Sequence, residues 1–281
     1  MYKSEKINEI ISYIKDKKKA TQAALKPYLV IAQPRRDAKE QAAQSFVGDK
    51  SAITTWCSYK YINISGQLVD VARNALAEKA IQLEAKYLLL VGEDTVMPYY
   101  GFEELHRTCE ENPNTVASGV YYFKEAGAMV LITDKDGYRC TANVDPDQMI
   151  LNPMLIGMDA MLIPVSILKE LKEKEPDCPF FCVVSETENT PFVGEDEWFL
   201  HLLYKNGYNC IVNTNVQCLH MDLATGNYNA HPDVNLDDYV CEIKPNRRLT
   251  CADRHYLHKR WNDRVPKPEL LTEKNITKQN K

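Results

Sequence analysis

The chain has 281 residues and a mass of 32.2 kDa, which fits one large domain or a domain with additions. Its 44% hydrophobic and 26% charged residues match an average globular protein and exclude collagen, coiled-coil rods and wholesale disorder. The net charge of −5 is uneven, because residues 241–281 carry +6 and residues 1–240 carry −11. An acidic body with a basic C-terminal segment suggests that this segment either meets an anionic partner or stays solvated.

Targeting signals and cysteines point to a cytoplasmic protein. No apolar run approaches the ~18 residues of a membrane-spanning helix, and the first 27 residues lack the apolar core of a signal peptide. The nine cysteines are odd in number and no pair has CxxC spacing, which favours reduced thiols. We therefore expect a cytoplasmic location, which would be the host cytoplasm if the chain is encoded by a phage.

Helices and short apolar strands alternate along the chain. The periodicity predicts helices at residues 3–26, 38–46, 67–85, 101–111, 165–175 and 196–207. Apolar or β-branched runs predict strands at 28–32, 51–62, 87–91, 115–123, 128–133, 180–184, 209–213 and 216–220. This alternation predicts an α/β sheet of mostly parallel strands flanked by helices. We place one catalytic domain at 27–240, with an N-terminal helical extension at 1–26 and a basic extension at 241–281.

Charged side chains follow the predicted strands, at the sheet edge where α/β proteins bind ligands. They suit a divalent cation that holds a phosphorylated ligand, because Mg²⁺ and Mn²⁺ take oxygen ligands and Mn²⁺ also accepts imidazole. The same carboxylates are common in solvated loops and at helix starts, and the residues alone leave both interpretations open. The residues at this edge are Pro34, Arg35 and Arg36 after the first strand, Glu93 and Asp94 after 87–91, and His220 at the end of 216–220.

A second acidic cluster opens the helix predicted at 196–207. Glu195 and Asp196 lie in its first turn, where acids either complement the helix dipole or serve as a general base. Trp198 is a candidate wall of a sugar pocket, and core packing is the better explanation for an aromatic residue at helical spacing.

Four segments, in this order, resemble the GT-A glycosyltransferases, nearest to the family-two-like branch of bacteria and their phages. The stretch 66-GQLVDVARNALAEKAI-81, feeding 87-YLLLVGEDTVMP-98, is similar to the helix and strand that end in the family's metal-binding DxD motif. The segments 114–123 and 155–171 look like its "vvgG.y" strand and its acceptor-side segment. The last, 194-GEDEWFLHLLYKNGYNCIVNTNVQCLHMD-222, resembles the family's ED and histidine motifs. Together they span about residues 28–223.

The resemblance assigns roles residue by residue. Asp94 matches the metal-ligating last acid of DxD, and His220 matches the histidine that completes the metal site. The first acid of DxD falls on Gly92, which is a departure, and Glu93 is a candidate to replace it.

Further roles follow for the remaining motifs. Asp196, with Glu195 beside it, matches the base of inverting members. Asp70 and Arg73 match the helix beneath the nucleotide, where Arg73 is expected to orient a carboxylate such as Asp94. The implied donor-binding residues are Pro34, Arg35, Arg36, Asp70, Arg73, Glu93 and Asp94. The implied acceptor-side residues are Gly157, Met158, Asp159 and Trp198.

The implied activity is transfer of a sugar from a nucleotide-sugar, most commonly a UDP-sugar, to an acceptor hydroxyl with Mn²⁺ or Mg²⁺ as cofactor. The segment 244–268 interleaves basic and aromatic residues, which suits a nucleic acid acceptor such as a hydroxymethylated base in phage DNA. A glycan, lipid-linked sugar or protein acceptor stays open, as does a non-catalytic nucleotide-sugar-binding module. A nucleotidyl- or phosphotransferase is disfavoured, because neither GxxxxGK[ST] nor GxGxxG occurs.

Overall fold

The computed structural model describes the central part of the chain in several ranges. These are residues 26–35, 57–120, 122–123, 127–128, 130–133, 139–141, 144, 146–185, 193–221, 228–230 and 239. The predicted helices at 3–26 and 38–46, the basic extension at 241–281 and Arg36 lie outside the described residues, apart from residue 26. The domain boundaries proposed from the sequence therefore stay predictions.

The described residues contain four helices and fifteen strands. The helices are α1 Val69–Gln82, α2 Gly101–Glu111, α3 Val165–Lys174 and α4 Glu195–Lys205. The strands are β1 Leu29–Arg35, β2 Tyr59–Ser65, β3 Tyr87–Val91, β4 Thr95–Val96, β5 Thr115–Val120, β6 Tyr122–Phe123, β7 Gly127–Ala128, β8 Val130–Thr133, β9 Arg139–Thr141, β10 Met149–Leu151, β11 Leu155–Ile156, β12 Ala160–Pro164, β13 Asn209–Gln217, β14 Leu219–Met221 and β15 Tyr228–Asn229.

Seven strands form the central sheet, in the order β10-β13-β5-β12-β3-β1-β2. Five of them run in the same direction, while β12 and β10 are antiparallel to their neighbours. The predicted fold class, an α/β sheet of mostly parallel strands flanked by helices, is confirmed. Strand β12 was missed as a strand, although it lies at the centre of the sheet between β3 and β5.

Both faces of the sheet are covered, as the short apolar strands predict. Alternate residues of β3 point to opposite sides, so Leu88 and Leu90 belong to one apolar cluster and Leu89 to the other. The first cluster contains buried side chains of α1, α3 and α4, and the second contains those of α2. Helices α1, α3 and α4 therefore cover one face of the sheet, and α2 covers the other.

The apolar run 180–184 is not a sheet strand, contrary to the prediction. The two adjacent side chains of Phe180 and Phe181 are both buried, which does not fit the alternation of a strand. The backbone of Phe181 bonds to the side chain of Asn74 in α1 instead of a neighbouring strand, through N···Oδ1 3.2 Å and O···Nδ2 2.6 Å. Only an isolated bridge between Val184 and Val193 is formed there among the described residues.

A small second sheet brings two parts of the predicted site together. Strand β14 pairs antiparallel with β4, which places His220 opposite Thr95, immediately after Asp94. The amide of Met221 also donates to the carbonyl of Asp94 at 2.6 Å. These contacts hold the loop after β3 against β14. Within the part of the chain that the structure describes, no helix combines the length and apolar character needed to cross a membrane.

Candidate active site

A cleft of about 530 Å³ opens at the carboxyl ends of β1 and β3, beside the first turns of α1 and α4. Its position agrees with the rule that ligands of α/β sheets bind beyond the strand ends. Most of the residues predicted for the site lie in its lining. They are Pro34, Arg35, Arg73, Glu93, Asp94, Asp159, Glu195, Asp196 and His220.

Asp94 and His220 lie in contact, although 126 positions separate them in the sequence. The Oδ2 atom of Asp94 is 3.2 Å from Nε2 of His220, and both side chains are largely buried. The other ring nitrogen, Nδ1, lies 2.9 Å from the carbonyl oxygen of Tyr122. A ring that donates its Nδ1–H to a carbonyl presents Nε2 as its lone-pair nitrogen, so Asp94 and His220 offer an oxygen and a nitrogen side by side.

The local electrostatics favour a cation at this pair. Burial lowers the pKa of His220, but the hydrogen bond and the negative charge of Asp94 outweigh it and raise the pKa overall. A proton on the imidazole is therefore favoured by the negative charge of Asp94. A bound metal would take the place of that proton, because metal ligation requires a neutral imidazole.

In another part of the cleft lining, Arg73 binds several carboxylates. Its side chain is only 4% exposed, and its guanidinium contacts three carboxylates from two other segments. Nη2 lies 3.0 Å from Asp159 Oδ1, while Nη1 lies 2.8 Å from Glu195 Oε1 and 2.5 Å from Asp196 Oδ1. The sequence analysis expected Arg73 to orient a carboxylate such as Asp94, and the carboxylates that it contacts here are Asp159, Glu195 and Asp196. Three partly buried carboxylates around one guanidinium form a cluster with excess negative charge.

Burial and neighbouring negative charges raise the pKa values of two of these carboxyl groups. Burial raises the pKa of Asp196 to about 7; the charge of Arg73 opposes this, and the charges of Glu195 and Asp159 add to it. Burial also raises the pKa of Asp159, against the charge of Arg73 and with that of Asp94. A pKa in this range is the one that a general base needs in order to accept a proton near neutral pH.

A polar network fixes Arg35 at the mouth of the cleft. The fully buried Gln33 donates through Nε2 to the carbonyl of Gly92 at 3.1 Å. Its Oε1 accepts from Arg35 Nε at 3.0 Å and from the hydroxyl of Tyr61 at 2.6 Å, and Arg35 Nη2 also donates to that hydroxyl. Gln33 and Tyr61 are neutral, so these contacts orient the guanidinium of Arg35 without cancelling its charge.

Some residues assigned to the site lie elsewhere. Met158 is fully buried in the core and Gly157 is buried beside it, because they lie between β11 and β12 inside the fold. Trp198 donates its indole N–H to the carbonyl of Pro179 at 3.0 Å. Asp70 accepts from the backbone N–H of Val71 at 2.9 Å, a local contact in the first turn of α1. None of the four predicted residues lines the cleft, and Arg36 lies outside the described residues.

The sequence analysis missed several contributors. Gln33 could have been recognised as an amide at the end of the apolar run 28–32. Tyr61 and the carbonyl of Tyr122 act through contacts with distant segments and leave no local signal. Leu68, 75% exposed, and Val69 form an apolar rim of the cleft at the start of α1.

The carboxylate of Asp94 is a ligand type for Mn²⁺ and Mg²⁺, and the imidazole of His220 is a ligand type that Mn²⁺ accepts. Among the residues that the structure describes, no group of three or more His, Cys, Asp or Glu side chains forms a metal cage. Such ions are, however, often held by one or two protein ligands, with substrate phosphates completing the coordination. The His220 ring, oriented by a backbone carbonyl, is arranged as metal-ligating histidines usually are.

Comparisons with known proteins place the chain near two solved structures. No protein-family model and no curated protein matches it. The chain is similar to A197 from STIV, with 17% identity, 69% of this chain and 85% of that chain covered, and a TM-score of 0.47. It is also similar to GalNAc-T7, whose crystal structure contains UDP, GalNAc and Mn²⁺, with 9% identity, 70% of this chain and 43% of that chain covered, and a TM-score of 0.42. Both TM-scores lie below 0.5, so the function is inferred from the cleft itself.

Proposed function

We propose that the chain is a metal-dependent glycosyltransferase of the GT-A type that moves a sugar from a nucleotide-sugar, namely a UDP-sugar, to an acceptor hydroxyl. The observation that carries the proposal is the 3.2 Å contact between Asp94 and His220 in the same cleft as Asp196. A cation-binding pair and a carboxylate with a pKa near neutrality are the two groups that this reaction requires at one site.

The charge of the cleft supports a cation-dependent donor. In the described part of the chain, five carboxylates and two guanidinium groups line the cleft. A nucleoside diphosphate would be repelled by this excess of negative charge unless a cation accompanied it. When bound, Mn²⁺ or Mg²⁺ at Asp94 and His220 supplies a Lewis acid that neutralises charge on the departing diphosphate. Arg35, held by neutral partners at the cleft mouth, adds a positive charge that is available to the same phosphates.

Asp196 is assigned the proton transfer on the acceptor side. Its carboxylate takes the proton from the acceptor hydroxyl as the oxygen attacks the anomeric carbon, and the sugar–phosphate bond breaks. Arg73 holds Asp196 and Glu195 in place and limits the charge that they accumulate. In a retaining reaction the same carboxylates would serve acceptor binding instead, and the stereochemistry of the product decides between these roles.

The acceptor is proposed from the sequence. The basic and aromatic segment at 244–268 suits a nucleic acid strand, including a hydroxymethylated base in phage DNA. A glycan or protein acceptor is the alternative within the same enzyme class.

A second candidate function is a nucleotide-sugar-binding module without catalysis. Two observations favour it: Gly92 stands where the resemblance has an acid, and Asp196 is engaged with Arg73 at 2.5 Å. A module of this kind binds the donor and releases no nucleoside diphosphate.

The deciding experiment is nucleoside diphosphate release from a panel of nucleotide-sugars, with Mn²⁺ or with a chelator, and with or without DNA. We expect release from a UDP-sugar only when a divalent cation is present. Asp94→Asn and His220→Ala should each lower cation affinity by about 10- to 100-fold, since the first removes the negative charge of one candidate ligand and the second removes the other ligand. Stimulation of release by hydroxymethylated DNA would support the nucleic acid acceptor.

Matched controls come from exposed residues of the same types. Asp177→Asn and His201→Ala should retain the activity and the cation affinity of the wild type. UDP-sugar binding without release in the wild type would support the binding module. Release that needs no cation, or wild-type cation affinity in both site variants, would contradict the metal site.

A further inference from the structure

Position 92 has no side chain, and the carboxyl group of Asp159 occupies the space where one would lie. A Cβ atom added to Gly92 would be 2.6 Å from Cγ of Asp159 and 2.9 Å from its Oδ2. Ordinary contacts between carbon atoms are about 3.5–4.0 Å, so a side chain at position 92 would force the side chain of Asp159 to shift. The resemblance to GT-A enzymes places the first acid of DxD at this position.

The pairing of two strands places Asp159 beside Gly92. Strand β12 pairs antiparallel with β3 over five residue pairs, from Pro164 opposite Tyr87 to Ala160 opposite Val91. The next pair along the ladder is Asp159 and Gly92, and the amide of Gly92 donates to the carbonyl of Asp159 at 3.1 Å. The side chain of Asp159 therefore reaches the end of β3 from the neighbouring strand.

The carboxyl group of Asp159 is held in one orientation. Its Oδ1 accepts from Arg73 at 3.0 Å, while its Oδ2 lies beside Gly92. The side chain is 19% exposed and lines the cleft together with Asp94 and His220. One oxygen thus contacts Arg73, and the other lies next to the end of β3.

We propose that Asp159 supplies the donor-side carboxylate that the loop after β3 lacks at position 92. The inference rests on the proposed function, and it replaces Glu93 as the residue that compensates for Gly92. The donor side is then built from two strands, with Asp94 following β3 and Asp159 preceding β12. Asp159 contributes negative charge next to the cation-binding pair and thereby strengthens cation binding.

The experiment is calorimetric titration of the full-length chain with Mn²⁺ alone, which requires no turnover. Asp159→Asn keeps an oxygen that accepts from Arg73 and removes the charge, so we expect Mn²⁺ affinity to fall by about tenfold or more. Glu93→Gln should cause a clearly smaller loss. Asp177→Asn, an exposed acid away from the cleft, is the neutral control.

A relocation variant separates the carboxylate from a purely structural role. In the double variant Gly92→Asp with Asp159→Gly, the carboxylate moves to position 92 and the space that it needs is vacated. We expect this variant to recover most of the Mn²⁺ affinity that Asp159→Gly alone loses, although the contact of Asp159 with Arg73 is gone. A merely structural role would not be rescued in this way.

The outcomes are distinguishable. Wild-type Mn²⁺ affinity in Asp159→Asn, or a larger loss in Glu93→Gln, overturns the inference and leaves the proposed metal site standing. Absence of rescue in the relocation variant also overturns it. Absence of Mn²⁺ binding by the wild type overturns the metal site and this inference with it.

Discussion

Gly92→Ala offers a direct test of the shared space between Gly92 and Asp159. The new Cβ would lie 2.6 Å from Cγ, 2.8 Å from Cβ and 2.9 Å from Oδ2 of Asp159. Asp159 cannot move aside freely, because Arg73 binds its carboxylate and Gly92 binds its carbonyl. Overpacking of this kind costs about 1–3 kcal/mol, so we expect a loss of that size in the free energy of unfolding.

A double-mutant cycle with Asp159→Gly removes the side chain that an alanine at position 92 would meet. In an Asp159→Gly background the same Gly92→Ala change meets no carboxyl group. The backbone at Gly92 is outside the left-handed region, so alanine should then be neutral or stabilise by up to about 1 kcal/mol. Urea unfolding of the four proteins gives the coupling energy between the two positions.

Gly66 provides the control for this cycle. It has φ +72° and no atom within 4 Å of an added Cβ, so Gly66→Ala should be strained by its backbone alone. Its cost should be the same with and without Asp159. An equal cost of Gly92→Ala in both backgrounds would refute the claim that Asp159 fills the place of the missing side chain.

Three further predictions concern the charge and polar networks of the cleft. Arg73→Met should lower the free energy of unfolding by about 3–5 kcal/mol in urea titrations, because three partly buried carboxylates lose the buried guanidinium that they share. A loss below about 1 kcal/mol would contradict this role of Arg73. Because the pKa of Asp196 is raised, the folded state holds a proton that the unfolded chain releases near pH 3.8. The contribution of Asp196 to stability should therefore decline as pH rises from 3.8 to about 7, and sugar transfer should increase through pH 7. Asp196→Asn should remove both dependences, and identical pH profiles of the wild type and this variant would contradict the assignment. Tyr61→Phe should weaken UDP binding in the presence of Mn²⁺ by about fivefold, since Arg35 loses a hydrogen bond worth ~1 kcal/mol, and unchanged affinity by calorimetry would show that this network does not orient Arg35.

Local sequence signals were sufficient for several elements. The helix α2 and the strand β3 have the predicted limits of 101–111 and 87–91, because amphipathic periodicity and a short apolar run identify them without reference to the rest of the chain. The contact of Asp94 with His220 agrees with the expectation that the residues following the predicted strands gather at one sheet edge.

Other elements depend on partners that are distant in sequence. Residues 180–184 look like a strand by composition, yet the side chain of Asn74 and the core position of two adjacent phenylalanines determine their conformation. The apolar residues of β12 were recognised only as part of a similar segment, because a short run before a helix carries no separate strand signal.

The amino-acid sequence by itself determined the α/β class, the positions of the main helices and the residue types at the strand ends, since these depend on local periodicity and on the order of elements. Only the tertiary structure decided that Arg73 binds Asp159, Glu195 and Asp196, and that Asp159 lies in the space beside Gly92. The physical reason is that β12, which lies about seventy residues further along the chain, pairs antiparallel with β3 and brings Asp159 next to Gly92. Pairing between such distant segments is not visible in the spacing of residues that are close in sequence.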